Sequence, residues 1–135
     1  MKLFYIVSGG FIGGMLVSLL GSWDYILQTL LLFMCIDWFT GGILLPGVFK
    51  RSPKSSGGGL ESLAGFKGLC RKVMILFCIM IANRLDVMIG SHYIRDGVCI
   101  GFIINEAVSI IENAGLMGIP IPEKLKEGID LLKGK

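Results

Sequence analysis

The chain of 135 residues has few charges, because Asp, Glu, Lys and Arg make up 17% of it. A soluble domain carries about 25%. It has one histidine, His92, and its four cysteines lack the spacing of a metal site. Cys35, Cys78 and Cys99 lie in apolar runs, where cysteine behaves as a small hydrophobic residue. With no phosphate-loop motif either, we expect no enzyme activity, metal, cofactor or nucleic-acid partner.

Apolar residues dominate instead, at 53% of the chain, and the mean hydropathy is strongly positive. A chain this short has little interior in which to bury so much apolar surface. The composition therefore predicts an all-α integral membrane protein with a single membrane domain, 1–135. Four transmembrane helices are predicted at about 3–20, 25–45, 73–90 and 97–118, the first being weakened by its glycines. A short amphipathic helix is predicted in the tail that follows them.

Lysine and arginine alternate along this layout. Lys2 precedes the first span, the loop 47–72 holds six basic residues, and the tail 119–135 holds four. The first loop has none, and the third has only Arg95. By the positive-inside rule, this pattern predicts that both termini, the loop 47–72 and the tail 119–135 are cytoplasmic.

Polar side chains interrupt the apolar spans, where a charge at the bilayer centre costs about 2.5–3.5 kcal/mol on insertion scales. Asp37 lies in the second span and Arg84 and Asp86 in the third, while the fourth carries a polar stripe about 120° wide. The stripe comprises Asn105, Glu106, Ser109, Glu112 and Asn113. Asp37, Arg84 and Glu106 are predicted at similar depths, so we expect Arg84 to pair with a carboxylate. Because one arginine cannot balance four acids, some acids are expected to be protonated, to face water or to lie at the interface.

Two interpretations of this intramembrane polar seam stay open. The stripe either joins helices by hydrogen bonds within one compact bundle or lines a water-filled lumen. A small four-helix bundle has little room for a pore, so a lumen implies a homo-oligomer. In the first span, Gly9, Gly10, Gly13 and Gly14 form two G-x-x-x-G pairs, which predict a helix-packing face within and between copies.

Four segments, in order, resemble a known family. They are D-W-F-T-G-G-I-L at 37–44, G-F-K-G-L-C-R-K at 65–72, I-A-N-R-L-D at 81–86, and N-E-A-V-S-I-I-E-N at 105–113 with G-I-P-I-P at 118–122. Together they resemble the small phage lysis and toxin-secretion holins of Gram-positive bacteria, the group that includes the clostridial toxin-release holin. The resemblance covers roughly residues 25–133.

This resemblance implies a homo-oligomer in the bacterial cytoplasmic membrane that contacts lipid and opens pores or lesions. Through these an endolysin, or in some clostridia a large toxin, would leave the cell. No catalysis or cofactor is implied. Two alternatives stay open: a small ion channel or transporter subunit, and a membrane adaptor whose basic loop and tail bind a cytoplasmic partner.

Overall fold

The computed structural model describes residues 1–134, and within them the chain is helical, with no strand. The helices are α1 (Lys2–Leu20), α2 (Tyr25–Phe39), α3 (Ser62–Ile89), α4 (Ile94–Leu116) and α5 (Glu123–Leu132). A π-helical segment, Thr40–Phe49, continues α2 without a break. The all-α prediction is confirmed.

The core lies among α2, α3 and α4. Leu27, Leu30 and Met34 recur at helical spacing on one face of α2 and are buried. They form a cluster with Ile79 of α3 and with Cys99 and Ile103 of α4, one turn apart. Because each of these helices has one buried stripe, most of their remaining apolar surface faces outward.

Two helices, Lys2–Leu20 and Tyr25–Phe49, are long and apolar enough to cross a membrane. Only 6% and 28% of their most apolar windows are buried, whereas the core helix of a soluble protein would be mostly buried. The window in α1 is the more apolar of the two, so the expectation that its glycines make it the weaker span is wrong. The complete four-span layout stays a prediction.

The second helix does not end at Pro46, as the sequence had suggested. Pro46 is buried inside the π-helical segment, which runs to Phe49 and stops where Lys50 adopts a left-handed conformation at φ 52°. A proline in a regular α-helix clashes with the carbonyl four residues earlier. The wider π-helical turn pairs residues five apart and is the geometry that the chain adopts around this proline.

The third helix begins at Ser62 rather than near residue 73. Its 28 residues extend about 42 Å, longer than a hydrocarbon core of about 30 Å. Lys67, Arg71 and Lys72 therefore lie on α3 instead of in a loop, and the connection between the π-helical segment and α3 shortens to 50–61.

Asp86 closes the turn between α3 and α4. Its carboxylate accepts hydrogen bonds from the Ser91 hydroxyl at 2.5 Å and from the backbone N–H groups of Ile94 and Arg95 at 3.1 and 2.8 Å. Asp86 thus satisfies the otherwise unpaired first donors of α4. Its carboxylate therefore acts as a cap, and its place in an intramembrane polar seam stays a prediction.

Replacing Asp86 with alanine should lower the free energy of unfolding by about 1–3 kcal/mol, since three donors lose their acceptor. Thermal unfolding of the purified protein in a neutral detergent measures the effect. Glu112→Ala is the matched control, because Glu112 is exposed and its side chain has no partner among residues 1–134. Equal destabilisation by the two variants would show that the cap contributes nothing.

Candidate functional site

A buried lysine joins the three central helices. The Lys72 ammonium of α3 lies 2.5 Å from Asp37 Oδ2 of α2 and 2.5 Å from Glu106 Oε2 of α4. The two carboxylate side chains are 8% and 3% exposed, and the lysine is 15% exposed. We call Asp37, Lys72 and Glu106 the ionic cluster.

Asn113 extends the cluster along α4. It lies two turns after Glu106, on the same face, and donates hydrogen bonds to Asp37 Oδ1 at 3.1 Å and to Thr40 Oγ1 at 2.9 Å. A Cβ atom on Gly41 would lie 2.9 Å from the Asn113 amide nitrogen. Glycine at this position therefore allows α4 to approach close enough for the amide to reach Asp37.

Trp38 links the same region to the start of α3. Its indole N–H donates to the backbone carbonyl of Gly65 at 3.1 Å. A Cβ atom on Gly68 would lie 3.3 Å from the ring, so the tryptophan packs directly on the backbone of α3. Consecutive residues 37 and 38 thus fix the position of α2 against both α3 and α4.

The ionic cluster holds one more acid than base. A buried ion pair is stable only when its charges are paired and their remaining lone pairs are satisfied. Asp37 meets this condition through Lys72 and Asn113, whereas Glu106 contacts Lys72 and Asp37 itself. The unmatched negative charge therefore belongs to a pair of neighbouring carboxyl groups that share a single ammonium.

A cavity of about 360 Å³ adjoins the cluster. It lies between the π-helical segment, the loop 50–61, α3 and α4, and it is bordered by all three residues of the ionic cluster and by Asn105 and Ser109. Its volume holds several water molecules. Water can therefore reach the edge of the cluster without any movement of the helices.

The structure brings Asp37 and Glu106 together, but the prediction that Arg84 pairs with them is wrong. Arg84 is exposed, lies five residues before the end of α3, about 7.5 Å by helix rise, and forms no ion pair within residues 1–134. Lys72 is the cation that pairs with Asp37 and Glu106, and the sequence analysis had assigned it to the loop 47–72. The signal that could have identified it is the spacing of Leu63, Phe66 and Leu69, which continues without a break into the third span.

The polar stripe of α4 divides between two environments. Glu106 and Asn113 are buried against α2, whereas Asn105 and Glu112 are exposed. Ser109 is half-buried, and its hydroxyl donates to the carbonyl of Asn105 at 3.1 Å. One part of the stripe therefore holds helices together within a single chain. The assignment of the exposed part to a pore stays a prediction.

The glycine face of α1 has no neighbour within residues 1–134. A Cβ atom on Gly9, Gly10, Gly13 or Gly14 would meet nothing within 4 Å. Only Leu20, at the end of α1, is buried. The prediction that these glycines pack against another helix of the same chain is therefore wrong, and packing between copies stays a prediction.

A second polar network lies at the opposite end of the bundle, around Arg95. This side chain is 5% exposed and donates to the carbonyls of Leu20 and Ser22 at 3.0 and 2.7 Å and to Asp24 Oδ2 at 2.6 Å. It fastens the turn between α1 and α2 to the first turn of α4. Sequence reasoning had treated Arg95 only as a basic residue in a loop and had missed this role.

Asp24 is the acid of this network and also caps α2 through the N–H of Leu27 at 3.0 Å. Partial burial raises the pKa of Asp24, but the hydrogen bonds from Arg95 and Leu27, with the charge of Arg95, outweigh it and hold the pKa below its usual value. The folded state therefore favours the ionised carboxylate.

Because the folded pKa of Asp24 is depressed, its contribution to stability is complete above its unfolded pKa of about 3.9 and is lost as the pH falls through the folded value. We expect the Asp24→Asn protein to lose less of its unfolding free energy than wild type between pH 5 and 3, taken as a rough window. Chemical unfolding in detergent at several pH values measures this. Asp130→Asn, at an exposed acid of α5, should leave the wild-type profile unchanged; parallel profiles for all three proteins would contradict the assignment.

Lys72→Met should destabilise the fold by about 3–5 kcal/mol, because it leaves two buried carboxylates without their shared cation. Arg84→Met should change the unfolding free energy by no more than about 0.5 kcal/mol, since Arg84 is exposed and unpaired. Denaturant unfolding in detergent compares the two variants, which remove the same charge from the same helix. The opposite order of effects would mean that Arg84, not Lys72, carries the structural charge.

Comparison with known proteins gives a consistent result. The model of a family described as the bacteriophage holin family matches residues 14–134. An uncharacterised 14.9 kDa protein of Clostridium perfringens is 35% identical over 92% of this chain and 89% of its own length. A Listeria monocytogenes protein, also uncharacterised, is 34% identical over 91% and 82%. The holin-like protein TcdE of Clostridioides difficile is 27% identical over 97% and 84%. No solved structure matches.

Proposed function

This chain belongs to the bacteriophage holin family, and we propose that it oligomerises in the bacterial cytoplasmic membrane and opens lesions there. An endolysin, or a large toxin, leaves the cell through these lesions. The observation that carries the proposal is the ionic cluster, a buried and unevenly charged group that joins α2, α3 and α4 and borders a cavity.

We place α1, α2 with its π-helical extension, α3 and α4 across the membrane, with both termini in the cytoplasm. The charge pattern supports this placement, since the basic loop and tail then share the cytoplasmic side. Arg84, close to the outer end of α3, can extend its guanidinium to the outer headgroups. In this placement the Arg95 network closes the outer end of the bundle.

In the resting monomer, Lys72 neutralises one carboxylate and shields the other. Hydrating Asp37 and Glu106 is favourable, because charged groups are far more stable in water than in a low-dielectric interior. A rearrangement that opens the cavity to a continuous aqueous lumen therefore gains hydration and loses the buried ion pairs. We propose that contact between copies at high density supplies the remaining free energy for this step.

The free surface of α1 supports association of copies. Four glycines on this helix leave its backbone accessible, and small residues four apart let helices approach closely in lipid. Since α1 contacts the rest of its chain mainly near its end, it can pack against a second copy without disturbing the central helices.

Glu106→Gln removes the unmatched charge while keeping the shape of the side chain. We expect this variant to delay or abolish lysis. Opening would then hydrate one carboxylate instead of two, so the free energy that favours the open state is smaller. Induced expression with an endolysin, with release of a cytoplasmic reporter enzyme measured over time, tests this. Membrane insertion of the variant should equal that of wild type.

Asp130→Asn is the control and should lyse on the wild-type schedule, because Asp130 is exposed on α5 and lies outside both the cluster and the polar stripe. Lysis by Glu106→Gln at the wild-type time would contradict the role of the cluster. If wild-type protein changes ion flux but never releases the reporter, the chain is a selective channel or transporter subunit and the holin proposal fails. Harmless expression with no leakage would instead favour a membrane adaptor.

A further inference from the structure

Three cationic side chains meet at the cavity beside the ionic cluster. Lys54 of the loop 50–61 and Lys67 and Arg71 of α3 all border it. All three residues are exposed, and none forms an ion pair with another residue of the range 1–134. Lys72, the fourth cation of the cavity, is already held by Asp37 and Glu106. Lys67 and Arg71 therefore bring two positive charges to the cavity, and Lys54 brings a third that faces the charge of Asp37.

The helix itself cannot neutralise two of them. Lys67 and Arg71 are four residues apart on one face of α3, where like charges repel. The neighbouring positions on that face, three or four residues away, hold only apolar or small residues: Leu63, Ala64, Gly68, Cys70, Met74 and Ile75. Glu61, the acid of the cavity that lies outside the ionic cluster, accepts hydrogen bonds from the N–H and hydroxyl of Ser56. No acid on that face of α3 therefore pairs with Lys67 or Arg71.

A fourth donor in the cavity has no acceptor. The Ser55 hydroxyl borders the cavity, and its oxygen is buried without a hydrogen-bond partner. An unsatisfied buried hydroxyl is unfavourable, and most such groups in proteins are paired. Three cations and one free hydroxyl together form a donor-rich site, which suits a group with several anionic oxygens, such as a phosphate.

We propose that this cavity binds the phosphate of an anionic glycerophospholipid from the cytoplasmic leaflet. The inference rests on the membrane placement in the proposed function. With Ile89 at the outer boundary, a hydrocarbon core of about 30 Å ends near Leu69 of α3. Lys67 and Arg71 then lie at the level of the inner headgroups. Phe66 and Leu69 are exposed beside them and offer apolar surface to the acyl chains.

The test uses the full chain purified in a neutral maltoside detergent, with its thermal unfolding followed as dioleoyl phosphatidylglycerol is added. Parallel titrations use dioleoylglycerol, which lacks the phosphate, and inorganic phosphate, which lacks the chains. The variants are the double change Lys67→Gln with Arg71→Gln, and Ser55→Ala, which removes no charge. The control is the double change Lys124→Gln with Lys126→Gln, which removes the same charge from exposed pairs in α5.

Wild type and the α5 control should show a saturable rise in melting temperature with phosphatidylglycerol and none with dioleoylglycerol. The α3 double variant should bind about ten-fold or more weakly, and Ser55→Ala a few-fold more weakly. Equal loss in the α3 and α5 variants would mean diffuse electrostatic attraction and overturn the site. An equal rise in melting temperature with inorganic phosphate at the same concentration would show that the site binds free phosphate and would overturn the proposal that the phosphate belongs to a lipid. Neither result affects reporter release in cells, so the holin proposal is tested separately.

Discussion

One buried ammonium group shared by two carboxylates organises the central helices of this protein. Lys72 of α3 contacts both Asp37 of α2 and Glu106 of α4, so these two ion pairs favour the observed register of the three helices. The neighbouring contacts serve the same register. Asn113 completes the coordination of Asp37 across the space left by Gly41, and Trp38 binds the carbonyl of Gly65. Because loss of the shared ammonium leaves two buried carboxylates unpaired, the register is enforced by a penalty as well as by attraction.

The remainder of the chain is arranged around this cluster with different degrees of attachment. Arg95 fastens the turn between α1 and α2 to α4 at one end, whereas most of α1 has no partner in the chain. At the opposite end of the bundle, the cavity beside the ionic cluster can hold water. In the proposed function, the ionic cluster and α1 have different roles. The ionic cluster keeps a single copy closed, and the free surface of α1 lets copies associate.

Much of the helical layout follows from the amino-acid sequence, but its details do not. Long apolar runs separated by Gly- and Ser-rich segments predict helices because unpaired backbone groups are not tolerated in an apolar medium. Pro46 was expected to end the second helix, yet a π-helical turn accommodates it. Lys67, Arg71 and Lys72 were assigned to a loop because they are charged, yet they continue α3. In each case, one local signal, a proline or a group of charges, was given too much weight.

The sequence by itself determined the class of the protein, its family and two of the three residues of the ionic cluster. Hydropathy is a local property, and Asp37 and Glu106 are conspicuous because charge is rare in their surroundings. Only the tertiary structure decided that Lys72 rather than Arg84 joins them, that Asp86 is a cap, and that the glycines of α1 face outward. Such pairings depend on the relative depth and rotation of helices far apart in the chain. Residue spacing along one helix does not contain that information.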